Sequence, residues 1–101
     1  VTQLARIKDL PDFERPRERL AALGADALSH SELIAILLRT GMRGQSAIEI
    51  GKQIIAEYKT LGNLSRASLE ELQTTKGIGR DKAVTLKAAF TIARRMAAEI
   101  P

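Results

Sequence analysis

Lys76-Gly77-Ile78-Gly79 separates two segments of different character. Before it, Leu69-Glu70-Glu71-Leu72 is short and apolar-patterned; after it, Arg80 to Met96 keeps its apolar residues three and four apart, the period of a helix. Glycines permit positive φ and a very tight reversal, and Ile78 between them can turn inward as its anchor. The spacing predicts helix, hairpin, helix. The second helix then starts with N–H groups that have no partner within it, at the positive end of its dipole. A phosphate is the anion such a start fits best.

The charge of the chain gathers on the same stretch. From Lys76 to Arg95 there are six basic residues against one acid, Asp81, a net +5; the chain as a whole carries +4, leaving −1 for the remainder. A polyanion is the simplest partner for a cluster of this kind, and a solvated helix face is the plainer alternative. At 101 residues the chain suffices for one domain with a modest core. Aromatics make up only 3% against 45% hydrophobic residues, so the core falls to Leu, Ile and Ala, which suits helices packed on helices. The absence of cysteine excludes disulfides and thiolate metal sites. No apolar run approaches the roughly 20 residues of a membrane span, and the first residues lack a signal-peptide stretch. A soluble cytoplasmic protein without membrane contact is expected.

Residues 1–14 have no sustained period and read as an arm, with Ile7, Leu10 and Phe13 as its packing residues. Residues 15–99 read as the helical domain, and 100–101 as the start of a linker to a C-terminal domain outside this chain. The first helix is expected to begin near Pro16, bury Leu20 and Leu23, and stop at Gly24. Arg15, Arg17 and Arg19, partly neutralised by Glu14 and Glu18, read as its solvated face. Three Ser-x-x-Glu patterns, at Ser29/Glu32, Ser46/Glu49 and Ser68/Glu71, predict capping boxes that open three more helices. The first of these carries Leu33-Ile34-Ala35-Ile36-Leu37-Leu38 as the buried centre and ends at Thr40-Gly41. The next runs to about Lys59 with Ile50, Ile54 and Tyr58 on one face, and Gly51 within it suggests close approach of a neighbouring helix. Leu61-Gly62-Asn63-Leu64 reads as a turn or short helical piece. In the last helix Ala83, Leu86, Phe90, Ala93 and Ala97 form a core stripe. No segment has a period of two. The fold class is all-α: a compact bundle of about five helices containing a helix–hairpin–helix motif.

An offset of 36 residues superposes Leu33 on Leu69, Ile36 on Leu72, Gly41 on Gly77, Ala47 on Ala83, Ile50 on Leu86 and Ile54 on Phe90. The match fails where Arg43 faces Gly79. A pseudo-pair of helix–hairpin–helix units is expected, with the first degenerate and the poorer phosphate site.

Residues 69–95 resemble the helix–hairpin–helix motif of DNA-repair and replication proteins. Asp9-Leu10-Pro11, Glu14-Arg15-Pro16-Arg17-Glu18, Ala27-Leu28-Ser29, the run from Glu32 to Gly41 and Lys76-Gly77-Ile78-Gly79 together make the chain similar to the N-terminal domain of the bacterial RadC (UPF0758) family. The family carries a DNA-repair label, and its members continue into a domain resembling JAB/MPN metal-dependent hydrolases. The resemblance implies docking in a minor groove, and in some hairpins a monovalent cation on backbone carbonyls, here those near Gln73, Thr75 and Ile78. Thr75 stands where the motif has an aliphatic residue, which loosens the packing beneath the hairpin. Arg80 stands where many hairpins have proline, adding charge at the phosphate site.

Two functions remain in play. In the first, amides of Gly77 and Gly79, with Ile78 as anchor, cradle a DNA phosphate while Lys76, Arg80, Lys82 and Lys87 supply charge, without reading sequence. In the second, the domain is a protein-interaction or structural module and the glycines only make the turn. No aromatic residue stands beside the cations to stack on a base. Catalysis is not expected: His30 is the only histidine, Glu70 and Glu71 point to different azimuths, and Lys76 or Lys82 as a base-excision lysine lacks a second domain to hold a flipped base.

Overall fold

A computed structural model describes residues 15–101. They form α1 (Pro16–Leu23), a 3₁₀ turn (Ala25–Ala27), α2 (His30–Leu38), α3 (Ala47–Tyr58), α4 (Leu61–Ser65), α5 (Leu69–Leu72) and α6 (Arg80–Glu99). The only strand-like pairing among them is an isolated bridge between Met42 and Gln45. The all-α expectation holds, with α4 and α5 as very short members of the bundle. The expected arm, including Ile7, Leu10 and Phe13, lies outside the described residues.

The three Ser-x-x-Glu patterns start helices where the sequence placed them. In each, the serine hydroxyl accepts the backbone N–H three residues on, and the glutamate accepts the serine N–H: 3.2 and 3.0 Å at Ser29/Glu32, 3.2 and 2.9 Å at Ser46/Glu49, 3.1 and 2.9 Å at Ser68/Glu71. Such a box satisfies two backbone donors that the helix cannot satisfy itself. At α1 the first helical residue is Pro16, whose missing N–H costs nothing there.

The core is aliphatic. Ile34, Ala35 and Leu38 of α2, Ala47, Ile50 and Ile54 of α3, Leu64, Ala67, Leu72, Ile78, and Ala83 and Leu86 of α6 form one buried cluster, with Tyr58 and Phe90 packed at its edge. Gly51 lets α3 approach α2: a Cβ there would lie 2.6 Å from the Ser31 carbonyl oxygen. A backbone atom cannot retreat as a side chain can, which explains a glycine inside a helix.

Several expectations need correction. Leu23 is 62% exposed and Leu20 only half-buried, because no described element covers that face of α1. The α6 stripe is buried at Ala83 and Leu86 and half-buried at Phe90; Ala93 and Ala97 are exposed, since the last turns run past the bundle. Helix α2 stops at Leu38, with Arg39 at φ +71° as its cap standing between it and Thr40-Gly41. Arg19 is not part of a solvated face neutralised by Glu18. Its Nε lies 2.8 Å from Glu32 Oε2, an ion pair too bent to count as a hydrogen bond, which ties α1 to the start of α2.

The internal repeat is also split. Ala47 and Ala83, and Ile50 and Leu86, are fully buried in their helices, so the packed faces follow the offset of 36. The turns do not. The positive-φ glycines Gly44 and Gly77, like the N-caps Ser46 and Gly79, stand 33 residues apart. Helix α6 therefore begins about one helical turn earlier relative to its buried face. Arg43 corresponds to Lys76 in the turn and not to Gly79, and Gly41 is no counterpart of Gly77. Gly41 is instead crowded by backbone, with Gln45 O against its Cβ position and Ala47 N at 2.7 Å.

Candidate nucleic-acid interface

The turn before α6 is fixed from three sides. Ile78 N–H donates to Thr75 O at 3.0 Å, closing a four-residue turn with Gly77 at φ +93°. Ile78 is 4% exposed and anchors the turn in the core. Thr75 is equally buried, and its hydroxyl donates to Glu57 Oε2 on α3 at 2.9 Å. The threonine thus tightens the hairpin's seat where an aliphatic residue was expected to be missed. With Thr75 O already accepting the turn bond, one of the three carbonyls suggested for a cation has a partner. Gly77 rests on the first half of the domain: a Cβ there would meet Ile50 Cδ1 at 2.8 Å and Met42 Sδ at 2.9 Å.

Helix α6 starts without a side-chain cap, as does α1. Helices α2, α3 and α5 begin with their donors closed by a capping box, and α4 by the Thr60 hydroxyl. The N-cap of α6 is Gly79, which brings no side chain, and a Cβ there would meet nothing within 4 Å. In the three boxes a glutamate carboxylate offsets the dipole; here the first turn has no side-chain cap, and Lys76 and Arg80 are exposed beside it. Asp81 is exposed in the same first turn and opposes that charge in part.

Two of the four expected cations are otherwise engaged. Lys82 Nζ donates to Leu38 O, to Thr40 O at 2.9 Å and to Thr40 Oγ1 at 3.0 Å. Lys87 Nζ donates to Ala67 O at 2.9 Å, holding the segment before α5 against α6. Nothing in the sequence marks these lysines, because their acceptors lie 44, 42 and 20 residues away. Conversely, Arg39 and Arg43, both exposed, were not among the expected site residues. Burial, with the positive charge of Arg39 adding to it, holds the Lys82 pKa below the ordinary lysine range. Arg43 follows Met42, the residue against Gly77. The turn register of 33, which makes Arg43-Gly44 the partner of Lys76-Gly77, would have identified it.

A depression of about 810 Å³ lies between the start of α1 and the first turn, lined among others by Arg17, Ile36, Arg39, Met42, Arg43 and Glu49. The Glu49 carboxylate is held in its capping box. His30 is exposed at the first position of α2, beside the cap and not in it. Among the described residues no cluster of His, Asp or Glu could hold a metal ion. No helix among them is long and apolar enough to cross a membrane.

The capping carboxylates give the domain an acid limit. The Ser29 backbone N–H, followed by the Ser29 hydroxyl and Arg19, holds the Glu32 pKa below 4.5 despite partial burial; Ser68 does the same for Glu71. A pKa lower in the folded state gives stability that is complete above the unfolded value and is lost as pH falls through the folded one. The melting temperature should therefore fall as pH drops below about 4.5, and Glu32→Gln should fall less steeply than the parent over that range. A parent melting temperature flat down to the foot of that range would remove the boxes from the account.

The family model described as UPF0758 N-terminal matches residues 7–84. The chain is 53% identical over 92 residues to a UPF0758 protein of Moorella thermoacetica, covering 91% of this chain and 40% of that relative. It is 51% identical over 90 residues to one of Dechloromonas aromatica, covering 88% and 40%. For a relative in Desulfitobacterium hafniense the identity is 44% over 96 residues, covering 95% and 42%. The chain thus spans about two fifths of the length of the curated relatives it matches. No solved structure matches it.

Proposed function

The chain belongs to the UPF0758 family, and from that premise we propose that this domain is a non-catalytic DNA-binding module that holds the phosphate backbone without reading sequence. The observation that supports the reading is the uncapped start of α6 behind the turn at Gly77, with Lys76 and Arg80 exposed on either side of Gly77 and Gly79. A backbone phosphate would satisfy the backbone donors of that start as the serine hydroxyl and glutamate carboxylate of a capping box do at α2, α3 and α5. Contacts of this kind set position and not sequence. Lys82 and Lys87, with their ammonium groups bonded inside the domain, fall out of the contact set. A role in DNA repair and a cytoplasmic location go with this reading.

Two phosphates neutralised by Lys76 and Arg80 imply a slope of log K against log salt of about −2 on duplex DNA. The double variant Lys76→Ala/Arg80→Ala should keep the parent's melting temperature within about 1 kcal/mol equivalent, since exposed changes are mild, while that slope collapses toward zero. Fluorescence anisotropy on duplexes of unrelated sequence measures both. A double variant that binds as tightly as the parent, or strong discrimination between sequences, defeats the proposal.

A second reading has its own observation. Ile92 and Met96, one helical turn apart near the end of α6, and Ile100, its C-cap, are 61%, 60% and 70% exposed. A protein-interaction or structural module that positions a C-terminal JAB/MPN-like domain would use such exposed residues. Absence of DNA binding at low salt would move the assignment there.

A further inference from the structure

Lys82 sits half-buried where α6 begins, yet all its work is done on the other half of the domain. An ammonium has three N–H donors. Here they are matched to three acceptors: Leu38 O, Thr40 O and Thr40 Oγ1. None is left for a phosphate. The acceptors bracket Arg39, whose φ of +71° and ψ of −51°, with Thr40 N–H donating to Leu38 O at 2.8 Å, describe a classic γ-turn. That turn is rare and strained, more so with a side chain at its centre. Strain of this kind persists only where the surroundings over-determine it, and Lys82 bonds to the carbonyls on both sides of it. The last turn of α2 has no basic residue of its own, so Lys82 also supplies the cation its negative dipole end favours.

The γ-turn is the entry to the tight turn Met42–Gln45, in which Met42 and Gln45 exchange backbone hydrogen bonds of 2.8 and 3.0 Å and which places Arg43 one residue from the Met42 side chain that packs on Gly77. We propose that Lys82 is a positioning residue for the anion-binding face: it holds the γ-turn at Arg39, and through it the turn whose Met42 packs on Gly77, against the start of α6, so that the cradle at Gly77 and Gly79 keeps its shape for a nucleic-acid backbone. This rests on the DNA-binding reading for its use, but the clamp itself is open to a separate measurement.

Lys82→Met keeps the aliphatic stem and removes the donors. Amide hydrogen exchange at Thr40, Met42 and Gln45 should then accelerate more than exchange in the α3 core, whether or not DNA binds. On duplex DNA, affinity should fall roughly tenfold at every salt concentration with the slope of log K against log salt unchanged, whereas loss of a phosphate ligand lowers the slope by about one. Lys82→Arg is the second variant: it keeps the charge, so a phosphate ligand would tolerate it, but a planar fork cannot place three donors around one nitrogen position. For a clamp it should weaken binding as Lys82→Met does. Unchanged exchange at the three amides overturns the proposal, as does a slope reduced by one, or full affinity in Lys82→Arg. If the parent binds no DNA, the functional reading fails and the exchange data alone decide whether Lys82 is a clamp.

Discussion

Valine at Gly77 should cost the domain about 2–5 kcal/mol, combining a branched side chain held at positive φ with overpacking of a filled site. The backbone sits at φ +93°, and the new Cβ would arrive 2.8 Å from Ile50 Cδ1 and 2.9 Å from Met42 Sδ. Those atoms end flexible side chains and can yield, so the packing part is the softer of the two. The backbone part cannot yield without opening the turn bond from Ile78 N–H to Thr75 O. For a domain whose whole stability is of the order of 5–15 kcal/mol, this is a large fraction. DNA affinity should fall with it, because the turn and the amide cradle are the same atoms. Urea midpoints for Gly77→Ala and Gly77→Val measure the effect: alanine should show the φ penalty, and valine should exceed it. A valine variant as stable as the parent would mean that the turn has another conformation.

The sequence could place that turn and could not separate its two glycines. Gly-Ile-Gly reads as two residues free to take positive φ, but only Gly77 does so; Gly79 is extended at φ −85°. Spacing locates a glycine, whereas its reason depends on what packs there, and Met42 and Ile50 come from 35 and 27 residues upstream. The capping boxes were readable for the opposite reason: both partners lie within four residues, so local chemistry suffices. The same contrast runs through the cations. Lys76 and Arg80 are at the surface as their pattern implies, while Lys82 and Lys87 on the same stretch find carbonyls that only the tertiary fold brings near. The core stripe of α6 was read correctly up to Phe90 and failed at Ala93 and Ala97, since periodicity shows an apolar face but not whether a neighbour reaches it.

Aspartate at Gly79 should part stability from function most sharply. Gly79 occupies the N-cap of α6 at φ −85°, ψ −172°, close to the φ of about −75° and ψ of 166° at the serine caps Ser29, Ser46 and Ser68. A capping side chain therefore fits that backbone, and a Cβ there meets nothing within 4 Å. Aspartate can accept the first-turn N–H groups and offset the dipole, raising stability by a few tenths to about 1 kcal/mol. It does so by occupying the donors proposed for the phosphate and leaving a negative charge among them. Two like charges about 4 Å apart cost about 1 kcal/mol even at the dielectric of water, and more near a protein surface. With the amides also taken, DNA affinity should drop roughly tenfold or more. Gly79→Ser separates the contributions: it caps without charge, so it should stabilise similarly and weaken binding less. Thermal melts and anisotropy titrations on the parent and both variants give the comparison. A Gly79→Asp domain that melts higher and binds DNA as the parent does would locate the phosphate contact elsewhere, and the open start of α6 would then be a turn requirement without a ligand.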